Sequence, residues 1–356
     1  MGDETRRWGP PYVAGESAYY LSTNRHKLGI TLDLKQPEGR EIALALARRA
    51  DVLVENFRVG VLEELGLGYE TLRVEHPRLI FCSISGYGPD GPSRDRVGFD
   101  LLVQAESGLM SITGPADGEP SKVGVAIVDI TMGMFACNAI VAALYGRART
   151  GQGQKIDLSL FESALAWLGN VGSNALLTEK SPGRYGNAHA SVVPYQVFDA
   201  ADRPFAVGVG TDRQFLALCE IIRHPEWAKD ARFATNKSRV EHREALLPML
   251  DQLFAQRPAA EWLAALQQAQ IPAAPINRVD EALADPQAQA RQMVMQIEHP
   301  TVGALPLVRA PYVFGDEPLP FRLPPPLLGE HTDQVLSEML GYSAEQVAAL
   351  RERGVI

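Results

Sequence analysis

From Lys27 to Gly88 the chain alternates between short apolar runs and amphipathic stretches, an order that few folds accept. "LGITLDL", "DVLVENF" and "RLIFCSISGYG" have the near-continuous apolar character of strands covered on both faces. "PEGREIALALARRA" and "GVLEELGLGYETLRVEHP" between them read as helices, the first opening on proline. The expected architecture is α/β, a doubly wound, Rossmann-like parallel sheet. Such sheets bind ligands beyond the carboxyl ends of their strands, which points to Glu55, Asn56 and Phe57 and to Gly86, Tyr87 and Gly88. Residues 1–26 offer neither the strand nor the helix with which such a domain usually opens.

A loop rich in Gly, Pro, Asp and Arg, "GYGPDGPSRDRVGFD", then leads to a short helix, "LLVQAESGLMSITG". After it comes "SKVGVAIVDITMGMFACNAIVAALYG", almost wholly apolar or small, with the carboxylate of Asp129 in its middle. An ionised acid withdrawn from water without a partner is costly, so Asp129 is either compensated or used. Standing ahead of an apolar helix it reads first as an N-cap. The helix dipole favours its ionised form, and a poorly hydrated carboxylate there is also available as a nucleophile. Phe99 and Asp100 in "VGFDLL" read as an apolar anchor and another helix cap, and Asp157 and Glu162 as solvated acids. A strand and helix in "KIDLSLFESALAWLGNVG" and a polar linker precede a hairpin-like pair, "PYQVFDAADRPFAVGVG", which opens a smaller α+β domain. "LPPPLLGEHTDQVL" reads as a return to the first domain. The expected spans are 1–185, 191–296 and 302–356.

Several classes lose their support. No G-x-G-x-x-G follows a strand, and neither a phosphate-binding loop nor a G-x-S-x-G elbow occurs. The seven histidines stand singly, so a metal site is not expected. A net charge of -9 argues against a broad nucleic-acid surface. No unbroken apolar run reaches about 18 residues, and the N-terminus is polar, so neither a membrane span nor a secretion signal is expected. Cys82, Cys137 and Cys219 lack paired spacing and read as reduced, buried thiols of a cytoplasmic protein.

Seven stretches in order along the chain resemble the family III CoA transferases, the group of formyl-CoA and carnitine CoA transferases and their racemase relatives. They are "NRHKLGITLDLKQPEGR", "ADVLVENFRVGVLEELGL", "ISGYGPDGP", "GFDLLVQAESGLMSITG", "VGVAIVDITMG", "RTGQGQKIDLSLFE" and "PPPLLGEHTDQVL". The resemblance implies that Asp129 is the nucleophile, forming an aspartyl anhydride and then an aspartyl-CoA thioester. It also implies that CoA lies along Leu32, Asp33, Leu34 and Lys35, Asn56 and Phe57, and Arg96, Val97, Gly98, Phe99 and Asp100. Acyl-CoA is then a substrate, with no tightly bound cofactor, and the assembly is an interlocked, ring-like homodimer. "RYGNAHASVVPYQVF" and "EHPTVGALPLV" are most similar to the branch that moves CoA from succinyl-CoA to glutarate and related dicarboxylates, with Arg184, His189 or Tyr195 as candidate acceptor contacts.

Three departures from the family pattern bear on this. The family's opening strand-helix-strand is not found ahead of "GDETR", so Met1 resembles an internal methionine. Glu64 stands where formyl-CoA transferase has an arginine. Phe99 stands where the racemases place a histidine, which favours transfer over racemisation. A racemase or isomerase on the same fold, or a shortened non-catalytic paralogue, are the alternatives.

Overall fold

The computed structural model describes residues 2–356. Helix α1, Pro37–Ala47, starts on proline, and strands β1, Val52–Glu55, and β2, Ile80–Ser85, follow it. Between the strands stand two short helices rather than one, Val61–Glu64 and Tyr69–Glu75, because Gly66 turns the chain at φ +74°. Next come α2, Asp100–Glu106, the long α3, Ile127–Thr150, and β3, Gln154–Ser159. Strands β1, β2 and β3 form a parallel sheet with β2 central, Glu55 opposite Ser83 and Ser85 opposite Ser159. Ile80, Phe81 and Cys82 of β2 are buried, as a central parallel strand requires.

"LGITLDL" departs from the expected strand. It joins no ladder among the described residues, because its donors are taken elsewhere. Gly29 N–H meets His331 Nδ1, Thr31 N–H meets Thr332 Oγ1 and Asp33 N–H meets the Val355 carbonyl. The C-terminal segment thus satisfies groups that a neighbouring strand would otherwise satisfy. The opening residues also differ from expectation: Ala18–Thr23 is helical, with the Ser17 hydroxyl accepting from Tyr20 N–H.

The chain divides into two compact units. One takes in the chain up to Gly98, Thr131–Leu160 and Val279–Ile356, and the other Phe99–Ile130 and Phe161–Arg278. Set beside the expected spans 1–185, 191–296 and 302–356, residues 99–130 and 161–185 group with the smaller domain and residues 279–296 with the first unit. That second unit carries β4, Tyr195–Asp199, β5, Pro204–Gly208, and β6, Ala273–Pro275, in one antiparallel sheet. Its core gathers on Phe254, whose ring lies 4.8 Å from Phe198, 5.2 Å from Phe205 and 5.1 Å from Trp262. Arg239 is fully buried there, donating to the carbonyls of Val193 and Phe233 and to Asp212 at 2.9 Å, so its charge is compensated within the core.

The expectation of three buried thiols is corrected at α3. The 24-residue α3 contains an 18-residue window of mean hydropathy 1.9, enough by length and composition alone to cross a membrane, a test that the core helix of a soluble protein also passes. Its interspersed Gly, Thr and Asn hide this from a search for unbroken apolar runs. Its C-terminal turn is anchored, since Arg147 donates to Asp51 Oδ1 at 2.8 Å and to the carbonyls of Asp51 and Arg78. Cys82 and Cys219 are buried, but Cys137 is exposed, because part of the apolar surface of α3 faces no core.

Candidate active site

Asp129 is the third residue of α3 and not its N-cap. The first bond of helical spacing at this end joins Ile130 N–H to the Ala126 carbonyl, so the preceding amides need other acceptors. Asp100 supplies one from α2: its Oδ1 accepts from Val128 N–H at 2.8 Å and from Asp129 N–H at 3.4 Å. The other oxygen, Oδ2, accepts from Gln104 Nε2 at 2.6 Å, and Gln104 Oε1 accepts from Val123 N–H at 2.9 Å. Asp100 therefore does not cap its own helix, whose N-cap, Phe99, makes no side-chain bond. The capping that the sequence assigns to Asp129 is performed by Asp100, and the Asp129 carboxylate is left for other work.

Partial burial pushes the Asp129 carboxyl above the usual aspartate range, and the facing Asp100 carboxylate pushes it further. By surface area Asp129 is nevertheless exposed. The two facts describe a half-desolvated carboxylate that an incoming molecule can reach. Such a group is more basic than an ordinary aspartate and has less water to shed before attacking an acyl carbon.

The first unit gathers most of the other candidates at the carboxyl ends of its strands. Glu55 closes β1 by accepting from Phe57 N–H at 2.8 Å and from the Ser83 hydroxyl, and Asn56 Nδ2 donates to the Ile84 carbonyl at 2.7 Å. These bonds fix Asn56 and Phe57 beside the end of β2, with Phe57 48% exposed. After β2, Ser85 Oγ accepts from Gly88 N–H at 3.0 Å and turns the chain into the Tyr87–Val97 loop. The loop returns to where it began: a Cβ on Gly86 would stand 2.6 Å from Gly98 N, and one on Gly98 would stand 2.5 Å from Gly86 Cα. Arg96 lies over the Tyr87 ring at 4.6 Å, and Val97 is exposed. Asn56, Phe57, Arg96, Val97 and Gly98 are thus brought to one end of one sheet.

Leu32 and Leu34 line an apolar groove of about 480 Å³ with Val52 and Val54 of β1. Arg40 Nη1 holds the carbonyls of Leu34 and Lys35, and the Asp33 carboxylate accepts from Lys35 N–H at 3.0 Å. That amide, followed by the Gln36 side chain, lowers the Asp33 pKa. The Lys35 side chain is exposed. The run Arg96 to Asp100 is divided, since Phe99 and Asp100 fall in the second unit with Asp129. Arg184 donates to the carbonyls of Pro115 and Gly118, and His189 packs edge-on to Tyr195 with its Nδ1 accepting from Ser191 N–H. Sequence reasoning points to Glu55 but misses Gln104. The spacing of Asp100 and Gln104, four apart on a helix face, is a signal for the latter.

The family described as CoA-transferase family III matches residues 1–332. An α/β transferase that handles CoA esters is thereby the class of protein, and the chain belongs to CoA-transferase family III. It is 42% identical over 355 residues to succinyl-CoA:glutarate CoA-transferase of Mus musculus, covering 100% of this chain and 81% of that protein. It is 44% identical over 344 residues to succinate–glutarate CoA-transferase of Agrobacterium fabrum, covering 95% and 86%. A solved structure, a CAIB/BAIF family protein from Brucella suis, superposes with a TM-score of 0.84 at 43% identity over 95% of this chain and 89% of that one.

Proposed function

We propose that this enzyme transfers CoA from succinyl-CoA to a dicarboxylate of the glutarate type, with Asp129 as the nucleophile. The observation that carries the reading is a reachable, half-desolvated carboxylate in the first turn of a helix whose end is capped by another residue. Glutarate stands in the names of both relatives.

An Asp129 oxygen attacks the thioester carbon, the C–S bond breaks, and CoA leaves as thiolate from a succinyl-aspartyl anhydride. The thiolate then attacks the aspartyl carbonyl of that anhydride, expelling succinate and leaving an aspartyl-CoA thioester. A glutarate carboxylate attacks this thioester and releases the thiolate again, forming the second anhydride. Return of the thiolate to the glutaryl carbonyl yields glutaryl-CoA and restores the Asp129 carboxylate. Each step exchanges one acyl bond for another, so no proton or electron is left over. We assign CoA to the Asn56, Phe57 and Arg96–Gly98 strand ends and to Leu32–Lys35, with no tightly bound cofactor.

The test is mass spectrometry of the intact protein after incubation with succinyl-CoA, with hydroxylamine or borohydride trapping. The expected adduct maps to the peptide holding Asp129 and is absent from Asp129→Ala; an adduct that survives the substitution would sink the assignment. The pH profile gives a second check. Because the Asp129 pKa is raised, the reactive carboxylate is lost on the acid side above the ordinary aspartate value of 3.8. An acid limb of kcat/KM for succinyl-CoA at or below that value would contradict it.

We further propose a homodimer in a reducing, cytoplasmic setting. Ile130, Met134, Phe135, Val141 and Tyr145 on α3 are each more than a third exposed, an apolar surface that a second copy would cover. The free thiols support the compartment. Light scattering should find a particle of twice the 38.8 kDa chain mass, and a monomer at micromolar concentration would count against the assembly.

A further inference from the structure

Gln104 is fully buried, yet no catalytic or binding role is read for it from the sequence. Its amide has only one orientation that fits its neighbours. Val123 N–H can meet only the carbonyl end, which leaves the NH2 end facing Asp100 Oδ2 at 2.6 Å. Asp100, four residues back on the same helix face, then has both oxygens in use as acceptors: Oδ2 towards Gln104 and Oδ1 towards the first turn of α3. A single side chain thereby joins α2, the segment that leads into α3 and, through Asp100, the turn that carries Asp129.

We propose that Gln104 is a positioning residue for the reaction: it locks the Asp100 carboxylate in the orientation that caps α3 and so fixes the backbone from which Asp129 attacks. The inference rests on the reading of Asp129 as nucleophile. Gln104 itself touches no reacting atom. Its contribution is orientation, and small errors in the attack geometry of a nucleophile carry large losses of rate.

The lock has a handedness of donors and acceptors, which makes it testable by transposition. Gln104→Glu sets two carboxylates against each other across the 2.6 Å contact. Asp100→Asn sets two NH2 groups against each other, because the introduced amide must turn its carbonyl towards Val128 N–H and Gln104 must keep its own towards Val123 N–H. The double variant reverses the pair: the introduced amide donates to the introduced carboxylate, and each still accepts from its own backbone N–H, Val128 for the former and Val123 for the latter. The net charge is unchanged.

The experiment is a double-mutant cycle read as the rate at which the trapped Asp129 adduct forms from succinyl-CoA, with the steady-state KM measured alongside. Each single variant is expected to slow adduct formation about ten- to a hundredfold, the range of a coupled pair, with KM changed by less than about threefold. The double variant is expected to recover most of the loss. Single variants that react at the wild-type rate overturn the proposal. So does a double variant that fails to fold, or whose loss equals the product of the two single losses, since a packing defect would add where a transposed hydrogen-bond pair would not. Absence of any Asp129 adduct in the wild type would instead remove the nucleophile reading, and thermal midpoints over the same four proteins would still report whether the pair is coupled.

Discussion

Asp129→Asn is expected to lose at least about a thousandfold in the transfer of CoA from succinyl-CoA to glutarate, while its thermal midpoint at neutral pH rises. The two halves of this result have one cause. Partial desolvation and the facing Asp100 carboxylate both disfavour the charged form of Asp129 in the folded chain. With its folded pKa above the unfolded value of 3.8, the carboxylate costs stability at every pH above the folded pKa. The amide removes that cost, so the gain is fully present near neutrality and fades as the pH falls through the folded pKa towards 3.8. At an N-cap, where asparagine caps about as well as aspartate, the same replacement would leave stability nearly unchanged. Calorimetry at pH 7 to 8 beside the transfer assay separates the two. A variant that is both inactive and less stable would return Asp129 to a structural role.

Gly98→Ala is the second large effect, and it acts through the backbone. The added Cβ would stand 2.5 Å from Gly86 Cα and 3.3 Å from the Gly86 carbonyl carbon, where no flexible side chain can move aside. One limb of the Tyr87–Val97 loop must therefore shift away from the carboxyl end of β2. A backbone shift forced by overpacking costs about 1–3 kcal/mol. It would also displace Arg96 and Val97, which immediately precede Gly98. We expect the KM for succinyl-CoA to rise at least about tenfold with a smaller fall in kcat, since the change removes binding rather than chemistry. Gly86→Ala should reproduce it, because the contact is mutual. Wild-type KM in both variants would show that CoA does not use this strand end. Titration of CoA by calorimetry would check the same point without turnover.

The parallel sheet was legible above all at its central strand β2, where the buried run Ile80, Phe81 and Cys82 writes a continuous apolar stretch. The hairpin of β4 and β5 was legible for the complementary reason, alternation broken by a polar turn. "LGITLDL" misled because an apolar run records burial and not the identity of the hydrogen-bond partner, and here the partners are His331, Thr332 and Val355. The apolar character of α3 escaped a search for unbroken apolar residues because glycine, threonine and asparagine interrupt it.

The candidate site divides along the same line. Sequence by itself determined which residues are candidates for chemistry: an acid amid apolar residues at a helix start, and polar residues at strand ends, are local patterns readable one segment at a time. Which acid caps the helix and which remains reactive depends on Asp100, 29 residues before Asp129, and on Gln104, whose amide is oriented by Val123 N–H. The close approach of Gly86 and Gly98 across a twelve-residue separation is of the same kind. Composition and periodicity record how a segment meets water. A hydrogen bond or a backbone contact between segments far apart in the chain exists only once both are in place, so those assignments belonged to the tertiary structure.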